Sequence, residues 1–118
     1  MKTTTAEAIE RKQLLSALLG GRNVSRVDVR EITFQPGQKT PRHLHPCPVL
    51  GYIAKGSVLF RREGQEKATL LEAGSAFYEP ADTVIASFDN ASQTETTTFI
   101  ACYLLNDGHE VIQLLPEK

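Results

Sequence analysis

The chain is poor in the features that usually betray function. Its 118 residues hold two cysteines, Cys47 and Cys102, which are far apart and form no CxxC pair. That spacing gives neither a dithiol redox motif nor a thiolate zinc site, and in a reducing compartment free thiols are expected. Neither sign of charge dominates: 13 basic and 14 acidic residues leave a net charge of −1. With no basic stripe, nucleic acid is not an expected partner. The longest apolar run, Phe99 to Leu105, falls far short of the roughly 20 residues that span a bilayer. No membrane partner is expected. The opening Met1-Lys2-Thr3-Thr4-Thr5 lacks the apolar core of a secretory signal, so the expected compartment is the cytoplasm. There is no GxSxG, no phosphate-cradling glycine loop, no HExxH and no dinucleotide fingerprint. What remains is an ordinary composition, 41% hydrophobic and 23% charged, which suits one globular domain with a real core.

Residues 4 to 19 predict a short N-terminal helix. Thr4 and Glu7 fit a capping box, and Ile9, Leu14, Ala17 and Leu18 mark a rough apolar face. Gly20-Gly21 ends it. The pattern then changes period. Val27 and Val29 alternate with polar residues, and Ile32 and Phe34 do so in the opposite phase, which predicts a bulge near Arg30-Glu31. Short β-rich runs follow, at 49–54, 57–61, 69–71, 76–78, 83–88, 96–105 and 111–115. They are separated by Lys55-Gly56, Glu63-Gly64, Ala73-Gly74, Asp89-Asn90 and Asp107-Gly108. Many short strands between such turns argue an all-β sandwich or small barrel. The expected division is a helical segment at 1–22 and one barrel domain at 23–118.

The densest chemistry lies at His43-Leu44-His45. Residues two apart on a strand point the same way, so both imidazoles can face one ion or one ligand. The spacing runs Gly37, five residues, His43, Leu44, His45, three residues, Val49, six residues, Gly56. A second stretch runs Gly74, five residues, Pro80, Ala81, Asp82, then Ile85 and Asp89.

Those paired spacings resemble the two motifs of the cupin superfamily, over about residues 24 to 105. The resemblance implies an all-β fold, a double-stranded β-helix or jelly-roll barrel, with the short N-terminal helix added. In metal-binding cupins three histidines and one glutamate project into the barrel. By resemblance this chain keeps His43 and His45, while Val49 stands at the glutamate position and Ile85 at the third histidine. Asp82 replaces a motif glycine, which aspartate tolerates because it visits left-handed backbone more easily than most residues.

Two imidazoles grip a divalent ion poorly, since catalytic sites normally supply three protein ligands. The residues that can complete the set are Glu79 and Cys47, then Asp82 and Gln38. The metal would be one divalent transition ion, Fe, Mn, Ni or Zn. The ligand count alone favours a metal-free cup, with His43 and His45 as polar spots in an apolar pocket formed with Val49, Ile85, Tyr52 and Tyr78. Cys47 reads better as a packed residue than as a reactive thiol, and Cys102 as core. Arg42 and His109 read as surface residues. Asp89 and Asn90 read as structural turn residues, and Thr94 to Thr98 as solvated strand edge.

Three functions follow as expectations. The first is a small-molecule-binding cupin with a degenerate metal site. The second is a metal-dependent oxygenase or isomerase on a small organic substrate. The third is a structural or partner-binding barrel. By resemblance to small cupins, a homodimer is expected.

Overall fold

A computed structural model of the chain describes residues 8–106 and 110–116. Among the described residues nine strands form two antiparallel sheets. The strands are β1 (Arg26–Phe34), β2 (His43–Leu44), β3 (Val49–Lys55), β4 (Ser57–Arg62), β5 (Thr69–Glu72), β6 (Ala76–Glu79), β7 (Ile85–Asn90), β8 (Thr97–Leu105) and β9 (Gln113–Leu114). One sheet has the order β1-β8-β3-β6 and the other β5-β4-β7-β2-β9. The all-β architecture expected from the turn pattern, and the jelly roll implied by the resemblance, are the fold found.

Alternation along the strands builds the interior. In β8, Thr97, Phe99, Ala101, Tyr103 and Leu105 are buried and the residues between them are half-buried. Five phenylalanines, from β1, β4, β6, β7 and β8, cluster in the core. Phe88 lies at their centre, with ring centroids of Phe77 and Phe99 at 5.0 Å, Phe60 at 5.7 Å and Phe34 at 6.3 Å. The Phe77 ring rests on Gly51, its register partner across β3 and β6. A Cβ at Gly51 would lie 2.0 Å from Phe77 Cζ, so only glycine admits the ring there.

A buried polar knot around Asn90 ties several segments together. Asn90 Nδ2 donates to the carbonyls of Gln35 (2.9 Å) and Glu95 (2.8 Å), and its Oδ1 accepts from Ser92 N–H (2.9 Å). The same Oδ1 lies 2.9 Å from the Thr97 hydroxyl. Asn90→Ala strands these groups and should cost about 1–3 kcal/mol. Urea unfolding checks this through a lower midpoint at unchanged slope.

The structure departs from the sequence-based expectations in five places. Asp89 and Asn90, read as turn residues, close strand β7 and pair with Leu59 and Val58 of β4. No helix forms over 9–19, and residues 4–7 lie outside the described ones. A helix this short needs an apolar face packed against something. Here Leu14, Leu15, Ala17 and Leu19 spread instead along the outer face of the four-stranded sheet, beside Leu50, Tyr52 and Leu104. No bulge interrupts β1, whose register with β8 is continuous. Val27 and Val29 simply face outward, 55% and 61% exposed. Thr97 and Thr98 are not solvated edge: they open β8, which runs between β1 and β3, and Thr97 is fully buried. Cys102 is half-buried on the outward side of β8 rather than in the core.

Candidate metal centre

β2 is only two residues long because Pro46 and Pro48 cannot continue a regular ladder. β2 holds His43, and His45 follows directly after it, both buried in the barrel. His43 and His45 are 4% and 5% exposed, with ring centroids 4.9 Å apart. Each ring is held by a backbone carbonyl at Nδ1: Pro41 O at 2.8 Å for His43 and Val111 O at 2.5 Å for His45. A carbonyl only accepts, so each Nδ1 carries the proton. In a neutral imidazole the lone pair then sits on Nε2, free to ligate. Metal-binding histidines are commonly fixed in this way.

Glu79 ends β6 and is 3% exposed. Its register partner on β3 is Val49, the position where resemblance to the cupin motif would have placed the carboxylate. Opposed residues in an antiparallel pair point to the same face. The carboxylate is therefore present, one strand over. His43, His45 and Glu79 form a buried three-residue group in which one ligand atom from each lies within 4.8 Å of the others. Donors at about 2.1 Å from one tetrahedral ion are about 3.4 Å apart, so the group stands near ligating distance and closes slightly to gather round an ion.

Glu79 Oε2 stands 2.9 Å from His45 Nε2. The contact has ion-pair length but not hydrogen-bond alignment, which leaves Oε2 a buried carboxylate oxygen with no donor among the described residues. Such an atom is costly unless something positive meets it. Two neutral Nε2 atoms and an undonated carboxylate oxygen are the donor set a divalent transition ion takes, so the residues present fit the metal that the motif implies.

Charge within the group is uneven. Burial dominates at His43 and lowers its pKa below 6.5, only partly opposed by the Pro41 carbonyl and Glu79. At His45 burial also lowers, but attraction to the Glu79 carboxylate and the Val111 carbonyl outweighs it, and the pKa rises above 6.5. In metal-free protein His45 therefore contributes stability that is fully present below its unfolded value near 6.5 and fades as pH rises through its folded value. His43 acts oppositely: its contribution is lost as pH falls below 6.5 toward its depressed value. NMR titration of the metal-free chain should show the two imidazoles on opposite sides of that value, with His45 falling in Glu79→Gln.

The three residues line a cavity of about 200 Å³ whose other walls are mainly apolar, among them Ile32, Phe77, Phe99 and Tyr103. This is smaller than the roughly 300–1,000 Å³ of pockets for drug-sized ligands. Tyr103 packs 5.6 Å from the His45 ring. Burial, then the Glu79 charge, pushes its hydroxyl up to about 12, so it remains a donor at neutral pH.

Of the residues the sequence singled out, the structure gathers His43, His45, Glu79 and Val49. Ile85 is fully buried opposite His43 but belongs to the packing behind the cavity rather than its lining. Tyr52 and Tyr78 do not line it. Val49 and Ile53 point in, so Tyr52 points out and is 42% exposed, and Tyr78 is outward because Glu79 is inward. Cys47 is fully buried and its pKa is raised by burial, a packed thiol outside the donor group. Asp82 adopts the left-handed backbone expected of it, φ 61°. Neither it nor Gln38, whose amide oxygen accepts from Gln35 N–H, joins the donors. Arg42 is tied to Glu63 at 2.9 Å, away from the cup. His109 lies outside the described residues. Tyr103, Phe77 and Phe99 went unread as lining, although the alternation of β8 carried the signal for two of them.

The family model described as a cupin domain matches residues 30–102. The chain belongs to the cupin family. No curated protein sequence matches it. Among solved structures, this cupin is similar to an oxalate oxidase in complex with the substrate analogue glycolate, at 23% identity and a TM-score of 0.63, covering 75% of this chain and 46% of that one. A cupin-like protein from Thermotoga maritima is 21% identical with a TM-score of 0.64, over 75% and 64% of the two chains. The polyketide cyclase RemF from Streptomyces resistomycificus is 17% identical with a TM-score of 0.65, over 83% and 65%. The cupin thus spans less than two thirds of each of these structures. No helix among the described residues is long and apolar enough to cross a membrane.

Proposed function

We propose that this cupin holds one divalent transition metal through His43, His45 and Glu79 and uses it to bind and transform a small oxygen-bearing organic molecule inside the barrel. The observation that carries this reading is the buried Glu79 Oε2, without a hydrogen-bond donor and facing two imidazoles that are already fixed through Nδ1. It replaces the metal-free reading that two histidines alone favour, because it supplies the third protein ligand of a catalytic site. When bound, such an ion acts as a Lewis acid on a ligand oxygen. The chain's own residues do the rest. Glu79 neutralises part of the ion's charge. The Pro41 and Val111 carbonyls fix both rings. Tyr103 offers a hydroxyl beside His45, and the phenylalanine walls exclude water.

Three structural relatives are an oxalate oxidase, a DMSP lyase and a polyketide cyclase, which differ in chemistry and so support a scaffold for small organic substrates rather than one reaction. The test uses untagged protein, stripped by chelation and reloaded in turn with Fe(II), Mn(II), Ni(II) and Zn(II). Hydroxy acids, dicarboxylates and enolisable ketones are then screened for turnover. Turnover that needs the metal and is lost in His45→Ala supports the reading. Turnover or ligand binding that persists equally without metal returns the cup to a metal-free binding role.

A further inference from the structure

We propose that Arg42 is a positioning residue for His45: it clasps the C-terminal segment 110–116 onto β2, and that segment keeps the His45 ring in the tautomer that can ligate an ion. The purpose of the clasp rests on the metal reading, whereas its geometry does not. β9 is the edge strand of its sheet, only two residues long, and both Gln113 and Leu114 are exposed. Its ladder joins β2 alone, at His43 with Leu114 and Leu44 with Gln113. A ladder so short, with one side in water, is the kind of element that opens locally at low cost. Yet this segment carries two parts of the site. Val111 supplies the carbonyl that takes the His45 Nδ1 proton, and Ile112 forms part of the cavity wall. His43 differs, because its acceptor is Pro41, two residues back on its own segment. His45 instead depends on a contact 66 positions along the chain.

Arg42 supplies the hold that the ladder lacks. Its Nε and Nη2 donate to the two carboxylate oxygens of Glu63, at 3.1 and 2.9 Å, a fork that fixes the plane of the guanidinium. Glu63 is itself anchored, its N–H donating to the Val84 carbonyl at 2.9 Å. Nη1 of the same guanidinium donates to the Pro116 carbonyl at 3.0 Å. The Arg42 carbonyl accepts from Leu115 N–H at 2.9 Å. One residue therefore grips the segment at two consecutive positions just past β9. Its side chain, 19% exposed, does so outside the cup and touches neither His45 nor the cavity, so its effect travels through Val111. Without the clasp the Val111 carbonyl is free to leave the His45 ring. The acceptor that remains is Glu79 Oε2, 2.9 Å from Nε2. A neutral imidazole then gains by moving its proton from Nδ1 to Nε2 and donating it to Glu79. That tautomer removes the ligating lone pair of His45 and occupies the Glu79 oxygen in the same step. The clasp thus holds apart two groups that would otherwise satisfy each other.

The experiment is ring-nitrogen NMR of the full, untagged, metal-free chain at a pH where both imidazoles are neutral. It reads which nitrogen carries the proton in each histidine. The wild type should show Nδ1–H in both. Arg42→Met should shift His45 to Nε2–H and leave His43 as Nδ1–H. Zn(II) affinity, measured by competition with a chelator, should fall about tenfold in the same variant, the lower end of what loss of a ligand's supporting contact costs. Leu115→Pro is the second variant. Proline has no N–H, so it cuts one bond of the clasp while the Arg42 side chain stays, and it should give the same change confined to His45. A His45 tautomer unaltered in both variants, even with a lower urea midpoint, overturns the proposal and leaves Arg42 a purely structural residue. A change shared equally by His43 and His45 overturns it too. Wild-type protein that binds no Zn(II) overturns the metal reading instead, and the tautomer shift still decides the clasp.

Discussion

Glu79→Gln should strip the cup of its metal. Glutamine keeps the size and removes the only anion among the three donors. Changes in the residues that merely support metal ligands already cost about 10–100-fold in affinity, so losing a direct carboxylate ligand should cost at least ~10²-fold. Metal content of untagged protein, measured against a titration of competing chelator, gives the ratio. The geometry makes a further demand. Val49 and Glu79 face each other across β3 and β6 and point into the same cup. Val49→Glu combined with Glu79→Val moves the carboxylate back across the ladder and should recover much of the lost affinity. A double variant as weak as Glu79→Gln would mean that Glu79 serves His45 alone and not an ion.

Phe88→Ala should produce the largest loss of stability. Phe88 is 3% exposed and touches the rings of Phe34, Phe60, Phe77 and Phe99. Its removal deletes the centre of the cluster and leaves a cavity that rigid strands cannot close, at a cost of about 3–5 kcal/mol. That is a large share of the ~5–15 kcal/mol by which domains are stable. Denaturant unfolding should show a much lower midpoint. Phe88 also borders the ligand cavity, so the variant should admit larger ligands than the wild type. A loss under about 1 kcal/mol would show that the five rings do not form the packed cluster described here.

The sequence made part of this legible and hid the rest for physical reasons. The turn residues and short β runs located eight of the strands, because glycine and aspartate mark turns that positive φ requires, as at Gly56 and Asp82, although Asp89-Asn90, read as a turn, closes β7 instead. His43 and His45 were legible because a spacing of two is local. The role of Glu79 was only a candidacy, since it depends on which residue of β6 faces Val49, and cross-strand register over thirty positions is set by packing rather than by local pattern. Tyr52 and Tyr78 failed on parity. With Val49 inside, Tyr52 three residues on must be outside. The N-terminal leucines were misread because local propensity suggested a helix where the outer face of the sheet offered a better surface. Val27 and Val29 suggested a bulge only because an apolar outer face was not expected on an edge strand.

The central claim is that one ion sits between two histidines and a displaced carboxylate. The most direct test is anomalous diffraction from a crystal of metal-loaded protein. The account predicts one strong peak inside the barrel, about 2.0–2.2 Å from Nε2 of His43, Nε2 of His45 and an oxygen of Glu79. It is contradicted if the peak lies at Cys47 or on the surface, or if none appears and Glu79 Oε2 still rests against His45 Nε2.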